Sequence, residues 1–188
     1  MKGTPLTHAW AEMRTNKGSQ TPGVDGQTAD DIDRDRIEQL SVRLRAGTYR
    51  PKPVRRVYIP KSNGRKRSLG ILTMEDRLVQ QALRMVLEPI FEADFLPCAH
   101  GFRQGRSPHT ALRHVTQMYP RVSWTVEADI TACFDNLSRR HIMTSLQRRI
   151  ADGKILSLVA RFLAVGYMEN WQYHRTYSGV AQGGVVDS

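Results

Sequence analysis

The sequence predicts an α+β fold in which helices pack on short antiparallel strands. Three observations support this prediction: apolar residues recur at helical spacing in several segments, one region alternates with the period of a strand, and capping and turn residues flank both. Of the 188 residues, 40% are hydrophobic and 24% are charged, so the chain can fill a core and is not expected to be disordered. This length corresponds to one compact domain, or to one domain and part of another.

Six segments place apolar residues on one face of a helix. Thr73 and Asp76 have the spacing of a capping box, and the helix that follows is expected to end near Pro89. Serine residues precede two later helices as caps, and Gly166 is expected to stop the last helix. The predicted helices lie within residues 6–13, 33–46, 73–89, 107–118, 138–150 and 152–166.

A β-hairpin is predicted in the first half of the chain. Residues 55–61 alternate as a strand, Asn63-Gly64 is typical of a tight hairpin turn, and residues 65–71 form the expected return strand. If the loop has three residues with Gly64 at positive φ, several cations project from one face of the hairpin. The side chains expected on that face are Ile59, Lys61, Arg65 and Arg67.

A third strand is predicted at residues 124–130, where apolar and polar side chains alternate with period two. Asp129 falls on the polar face near the end of this strand, and a carboxylate is the kind of hard oxygen ligand that magnesium binds. An ordinary aspartate that makes a turn at a strand end is the alternative interpretation.

The positive charge is concentrated in one part of the sequence. The net charge is +10, and residues 45–67 hold nine lysines and arginines but no acidic residue. A basic stretch of this density is typical of a protein that binds nucleic acid. Tyrosine, proline and valine residues are interleaved with the cations, which favours an ordered strand over a tail, although a solvated charged face is the alternative.

No sequence feature predicts export, membrane insertion or a zinc site. The N-terminus lacks the apolar stretch of a secretory signal, and no run approaches the roughly 20 apolar residues of a membrane helix. Cys98 and Cys133 do not have zinc-ligand spacing and are expected to be small buried hydrophobic residues. We therefore expect a soluble, cytoplasmic protein without a membrane partner.

Seven short segments, in order, resemble the reverse transcriptase and maturase proteins encoded by group II introns, and the resemblance covers most of the chain. They are Pro22–Gly26, Tyr49–Lys61, Leu69–Ile71 with Asp76 and Arg77, Leu87–Glu92, Gly101–Arg103 with Gly105–Ser107, Asp129 and Ile130 with Cys133–Asn136, and Gln182–Gly184. The family normally has proline where this chain has Gln104 and Ala181. Each difference removes a residue with a fixed φ and so makes a turn less rigid.

The resemblance implies the fingers and an incomplete palm of a right-hand polymerase: an N-terminal extension at 1–25, fingers at 26–122 and a partial palm at 123–188. The implied reaction is RNA-directed DNA synthesis, in which two Mg²⁺ ions assist the attack of a primer hydroxyl on a deoxynucleoside triphosphate. The implied partners are RNA, as intron or template, together with primer DNA and deoxynucleoside triphosphates.

The resemblance also implies roles for individual residues. Asp129 would be the catalytic carboxylate and would bind metal together with the backbone carbonyl of Ile130. The implied nucleotide-binding residues are Lys61, Arg67, Arg55, Phe134 and Gln182, with Phe134 stacked under the deoxyribose. The expected RNA-binding residues are Arg50, Lys52, Arg56, Arg65, Lys66, Arg103 and Arg106. The alternatives are a core position for Phe134, a turn for Gln182, and solvated cations at Lys61 and Arg67.

The chain stops before the second catalytic element of the family, a Tyr-x-Asp-Asp hairpin. Because one carboxylate cannot hold two divalent ions beside a triphosphate, we expect no polymerisation by this chain alone. An RNA-binding maturase-type module without catalysis and a degenerate, non-functional fragment are the alternatives. An unpaired strand at 124–130 also predicts self-association.

Overall fold

A computed structural model describes residues 4–60, 64, 66–131 and 133–176, apart from the side chains of Phe134 and Asp135. The described residues form helices and one small sheet, which confirms the predicted α+β class. The helices are α1 (Pro5–Met13), α2 (Arg34–Arg45), α3 (Met74–Glu92), α4 (Pro108–Met118), α5 (Cys133–Asn136), α6 (Arg139–Gln147) and α7 (Gly153–Ala164). The strands are β1 (Val54–Pro60), β2 (Lys66–Ile71), β3 (Tyr167–Glu169) and β4 (Gln172–His174). Among these residues, no helix is long and apolar enough to cross a membrane.

The predicted helix caps are present. The backbone N–H of Asp76 donates to Thr73 Oγ1 over 3.2 Å, and the Thr73 hydroxyl donates to Asp76 Oδ2 over 2.6 Å. At α4 and α6, backbone N–H groups donate to the predicted caps Ser107 and Ser138. Asp33 and Asp152, which were not predicted as caps, accept in the same way at α2 and α7. The predicted end of α3 near Pro89 is wrong, because the helix continues to Glu92. Proline removes one backbone donor, but the φ that its ring imposes is itself helical.

The four strands have the order β2-β1-β3-β4. β1 and β2 are antiparallel, with Ile59 opposite Arg67, and Gly64 has a φ of +77°, as the hairpin prediction required. Lys61, Asn63 and Arg65 lie outside the described residues. The sequence did not predict β3 and β4, nor the parallel pairing of β1 with β3.

A hydrophobic cluster fills the space between α1, α2 and the first turns of α3. Its buried members are Leu6, Ala9, Met13, Ala29, Ile32, Ile37, Leu40, Tyr49, Met74, Leu78 and Val79. Leu158 and Phe162 of α7 pack against it, and the Phe162 ring lies 6.3 Å from the Tyr49 ring, centroid to centroid. A fully buried leucine of this kind contributes about 1.5 to 3 kcal/mol relative to an exposed one.

Gly166 follows α7, but its role differs from the predicted helix stop. Its carbonyl accepts a hydrogen bond from the N–H of Val54, which brings β3 beside β1. A Cβ at this position would lie 2.2 Å from the carbonyl oxygen of His174. Glycine is therefore required here because two backbone segments approach closely, and not because a helix ends.

The chain divides into two compact units: Met1–Met85 with Ala132–Ser188, and Val86–Thr131. We call the second one the 86–131 unit. Its loop is held by Arg103, whose guanidinium donates to Glu92 and to the carbonyls of Leu96 and Ala99. The domain boundaries given by the family resemblance stay a prediction.

The predicted strand at 124–130 is wrong, because these residues have no regular secondary structure. Trp124 is 89% exposed and Val126 is 92% exposed. A strand needs neighbouring backbone partners for its hydrogen bonds, and no described strand lies in the 86–131 unit. The expectation that the cysteines are buried is also wrong, since Cys98 is exposed and Cys133 is partly exposed.

Candidate nucleotide and nucleic-acid interface

The β1–β2 hairpin carries the first predicted nucleotide contact. Ile59 and Arg67 are cross-strand partners, so both side chains lie on one face of the sheet, as the sequence predicted. The Arg67 side chain is exposed at this position. Lys61 and Arg65 are outside the described residues, so the remainder of the predicted cation cluster stays a prediction.

Arg55, a second predicted nucleotide contact, binds the chain's own backbone. Its Nε and Nη2 donate to the carbonyl of Pro22 over 3.1 and 2.7 Å. The next residue, Gly23, lies so close to β2's end that a Cβ there would be 2.7 Å from the backbone N of Thr73. The Pro22-Gly23 motif therefore gives a close contact between an N-terminal loop and the start of α3.

Arg77 also binds the N-terminal loop that contains Pro22 and Gly23. Its guanidinium donates to the carbonyls of Gly18, Thr21 and Leu72 over 2.8, 2.7 and 3.1 Å. Burial lowers the pKa of Arg77, and the charge of Arg55 lowers it further. Arg55 and Arg77 both donate guanidinium N–H groups to backbone carbonyls of the chain itself, which indicates a positioning role for both.

Asp76, in the first turn of α3, is a buried hydrogen-bond acceptor with 1% of its surface exposed. The hydroxyl of Tyr49 donates to Asp76 Oδ1, and the N–H of Lys52 donates to Asp76 Oδ2 over 3.2 Å. Burial raises the pKa of Asp76, although its hydrogen bonds from Thr73 and Tyr49 act in the opposite direction. Burial and the neighbouring Asp76 carboxylate also raise the pKa of Tyr49.

Several predicted RNA-binding cations also make contacts within the chain. Arg50 Nη1 lies 3.0 Å from each of the carbonyl oxygens of Gly47 and Tyr49, and Lys52 Nζ lies 3.2 Å from Asp25 Oδ2. Lys66 is exposed on β2. Within the basic stretch at residues 45–67, Arg50 and Lys52 are therefore held by contacts within the chain, whereas Lys66 on β2 is exposed to solvent.

Arg56 lies over an aromatic ring. Its guanidinium carbon is 3.3 Å from the centroid of the Tyr167 ring, a cation–π arrangement. Tyr167 in turn stacks on His174 with 4.9 Å between centroids and 13° between planes. These contacts depend on β3 and β4, which sequence reasoning missed because each strand has only three residues.

Within the 86–131 unit, Arg103 and Arg106 differ in exposure. The Arg103 side chain is 7% exposed and pairs with Glu92 at 2.6 Å, whereas Arg106 is exposed. The Arg103 hydrogen bond lowers the pKa of Glu92, and the same bond raises the pKa of Arg103. Arg103 therefore stabilises the loop that presents Arg106.

Asp129 and Ile130 lie in the exposed segment that lacks regular secondary structure. Among the residues that the structure describes, no group of three or more His, Cys, Asp or Glu side chains is placed to hold a metal ion. One carboxylate and one backbone carbonyl do not form a complete site for two Mg²⁺ ions. The described residues alone therefore do not make up a site for two ions.

Besides Lys61, two predicted nucleotide contacts fall outside the described residues. Gln182 and the side chain of Phe134 lie outside the part of the chain that is described. Their roles stay predictions from the family resemblance.

A partly buried ion-pair cluster between α2 and α3 was not predicted from the sequence. Glu75 Oε1 and Oε2 each lie 2.8 Å from a guanidinium nitrogen, of Arg36 and Arg43 respectively. Burial disfavours the charged carboxylate, but the two arginines outweigh it, so the pKa of Glu75 is lowered. The spacing of seven residues between the two arginines places them on one helical face and is the signal that could have predicted the cluster.

Residues 59–186 match a protein family described as reverse transcriptase (RNA-dependent DNA polymerase). The group II intron-encoded protein LtrA of Lactococcus lactis subsp. cremoris is 44% identical over 179 residues, which are 95% of this chain and 30% of LtrA. Protein YkfC of Escherichia coli K12 is 38% identical over 180 residues, which are 92% of this chain and 47% of YkfC. The chain thus spans less than half the length of these curated relatives.

The fold also resembles a solved structure described as "Partial Cas6-RT-Cas1--Cas2 complex". The TM-score is 0.58, and the match covers 99% of this chain and 33% of the other. With 18% sequence identity, this similarity concerns the fold alone.

Proposed function

Because the chain belongs to the reverse transcriptase (RNA-dependent DNA polymerase) family, we propose that it supplies the fingers and part of the palm of a group II intron-type RNA-directed DNA polymerase. The observation that carries this proposal is the β1–β2 hairpin, which holds Arg67 opposite Ile59 on one exposed sheet face. A cation held there on a rigid hairpin suits the binding of a triphosphate. The proposed extents are 1–25 for the extension, 26–122 for the fingers and 123–188 for the partial palm.

In this proposal Lys61 and Arg67 bind the triphosphate, Phe134 packs against the sugar, and Gln182 lies beside the nucleotide. Arg55 stays a predicted nucleotide-binding residue, and its two hydrogen bonds to the Pro22 carbonyl support an additional positioning role. A positioning residue of this kind sets the geometry from which direct ligands reach the substrate.

The proposed cofactor of the complete polymerase centre is Mg²⁺, to which Asp129 contributes one carboxylate and Ile130 a backbone carbonyl. The sequence contains no Tyr-x-Asp-Asp element. Further carboxylates must come from elsewhere for two ions to bind, so the 188-residue chain by itself does not polymerise. Magnesium-dependent primer extension on an RNA template by this chain, abolished in Asp129→Ala, would contradict that conclusion.

Triphosphate binding by the full chain tests the proposal directly. Arg67→Ala should weaken the binding of a fluorescent deoxynucleoside triphosphate about 10- to 100-fold, because hydrogen bonds to charged groups contribute about 1.5 to 3 kcal/mol. The matched control is Arg140→Ala, which removes an exposed arginine from α6. Equal affinity of the two variants for the triphosphate would contradict the proposed contact.

An RNA-binding maturase-type module without catalysis is the second candidate, with intron RNA as its partner. The basic stretch at residues 45–67 favours it, because neutralised phosphates release counterions and make affinity depend steeply on salt. In a titration of single-stranded RNA across salt concentrations, a flat dependence would exclude this candidate. RNA binding without triphosphate binding would favour it over the polymerase fragment.

Self-association is a further proposed property, because Trp124, Val126 and Ile130 are all at least 72% exposed. Light scattering at low and high salt measures it. We expect a mass that rises with protein concentration, and a monomer at every concentration would contradict the expectation.

A further inference from the structure

The turn between β3 and β4 places an aromatic residue in an unfavourable conformation. Glu169 pairs with Gln172, so the loop has two residues, Asn170 and Trp171, with φ values of 50° and 64°. Turns with both central residues at positive φ prefer glycine at the second position, because a side chain there is strained. Trp171 is nevertheless 92% exposed, so packing of its indole against the described residues does little to offset that strain.

The sheet face beside this turn is rich in aromatic groups. In the parallel pairing Val54 is opposite Tyr167, so Arg56 and Tyr58, two and four positions further along β1, lie on the same face as Tyr167. The contacts agree with this register, since Arg56 covers the Tyr167 ring and the Glu169 side chain beside the turn raises the pKa of Tyr58. Tyr58 is 49% exposed.

This surface is distinct from the proposed triphosphate contact. Successive residues of β1 alternate between the two faces of the sheet, so Tyr58 and Ile59 lie on opposite faces. Arg67 pairs with Ile59 and shares its face. The aromatic surface therefore lies on the other side of the hairpin from Arg67.

We propose that Trp171, together with Tyr58 and the guanidinium of Arg56, forms a stacking platform for the bases of single-stranded nucleic acid, with the Tyr167 ring, held between Arg56 and His174, supporting the guanidinium from behind. Unpaired bases stack on exposed aromatic rings beside arginine. The net charge of +10 favours a polyanion such as nucleic acid as the partner, over a protein whose surface carries few acidic residues. The inference rests on the proposed function only in taking nucleic acid as the ligand. It adds a binding surface that the triphosphate contact does not use.

Trp171→Gly separates stacking from folding, because glycine is the residue that the turn conformation prefers. We expect this variant to bind a short unstructured fluorescein-labelled RNA about 5- to 100-fold more weakly at constant salt, the range for loss of one stacked base. Its thermal midpoint should stay unchanged or rise, and the salt slope should not change because no charge is lost. Trp171→Phe should keep most of the affinity. A single-stranded DNA of the same sequence should show the same loss, since base stacking does not read the sugar.

The matched control is Trp124→Gly, which removes an 89%-exposed tryptophan outside the hairpin. Unchanged RNA affinity in Trp171→Gly, or an equal loss in Trp124→Gly, would overturn the platform. Failure of the proposed triphosphate contact has a separate readout, since Arg67→Ala is scored by triphosphate affinity and Trp171→Gly by RNA affinity.

Discussion

The hydrophobic cluster around α1, α2 and α3 and the 86–131 unit differ in burial, although both are built from amphipathic segments. Leu40 on α2 and Leu78 on α3 are each 1% exposed, whereas Leu112 and Val115 on α4 are 63% and 56% exposed. No residue from 86 to 131 is buried. The comparison teaches that helical patterning and caps suffice to form a helix, while burial depends on a partner surface.

The largest expected effect comes from truncating the buried leucine of this comparison. Leu40→Ala should lower the free energy of unfolding by about 2 to 5 kcal/mol, because it removes apolar contacts and leaves a cavity. Leu112→Ala, the matched change on α4, should alter it by no more than about 0.5 kcal/mol. Urea unfolding followed by circular dichroism measures both, and similar losses in the two variants would break the comparison.

A second substitution tests the close backbone contact in the first unit. Gly23→Ala should destabilise the fold by about 1 to 3 kcal/mol, because its Cβ would lie 2.7 Å from the backbone of Thr73. Gly18→Ala is the control, since a Cβ there meets no atom within 4 Å. Thermal unfolding of the two variants should therefore separate them, and a stable Gly23→Ala protein would argue against the contact.

The third prediction concerns local order in the 86–131 unit. Arg103→Lys keeps the charge but loses the planar group that reaches Glu92, Leu96 and Ala99 together. Hydrogen exchange should accelerate in residues 95–107, while exchange in α2 and the global unfolding midpoint stay unchanged. Arg106→Lys, in the same loop, is the control. Faster exchange throughout the chain in Arg103→Lys would show that the two regions are not energetically separate.

The smallest expected effect is a pH dependence in the 86–131 unit. His100 Nε2 lies 3.1 Å from His114 Nδ1, and partial burial together with the charge of Arg106 lowers the pKa of His100. The folded state therefore binds fewer protons than the unfolded state, whose histidine pKa is about 6.5. The stabilisation is complete above the unfolded-state pKa of about 6.5 and is lost as the pH falls below it and through the lower pKa of the folded state.

Hydrogen exchange at residues 100–114, compared at neutral and mildly acidic pH, measures this dependence. Exchange corrected for its intrinsic pH dependence should show less protection in acid. His100→Gln should reduce the difference. Protection that rises on acidification would contradict the assigned direction of the pKa shift.

Much of the fold was predictable because the signals are local. The side-chain caps at Thr73, Ser107 and Ser138 accept hydrogen bonds from backbone donors within a few residues of themselves, so the local sequence predicts them. Ile59 and Arg67 share a sheet face because Gly64 turns the chain between them. The predicted roles of Lys61, Phe134 and Gln182 came from the family resemblance and stay predictions.

The sequence by itself determined which segments become the six longer of the described helices and the β1–β2 hairpin, because capping, turn conformation and side-chain periodicity act over a few residues. The tertiary structure decided that Arg55 and Arg77 bind backbone carbonyls, that residues 124–130 form no strand, and that β3 pairs in parallel with β1. Each of these outcomes depends on a partner more than 30 residues away along the chain, or on the lack of one among the described residues. Such partners are brought together by packing, which leaves no periodic signal in the local sequence.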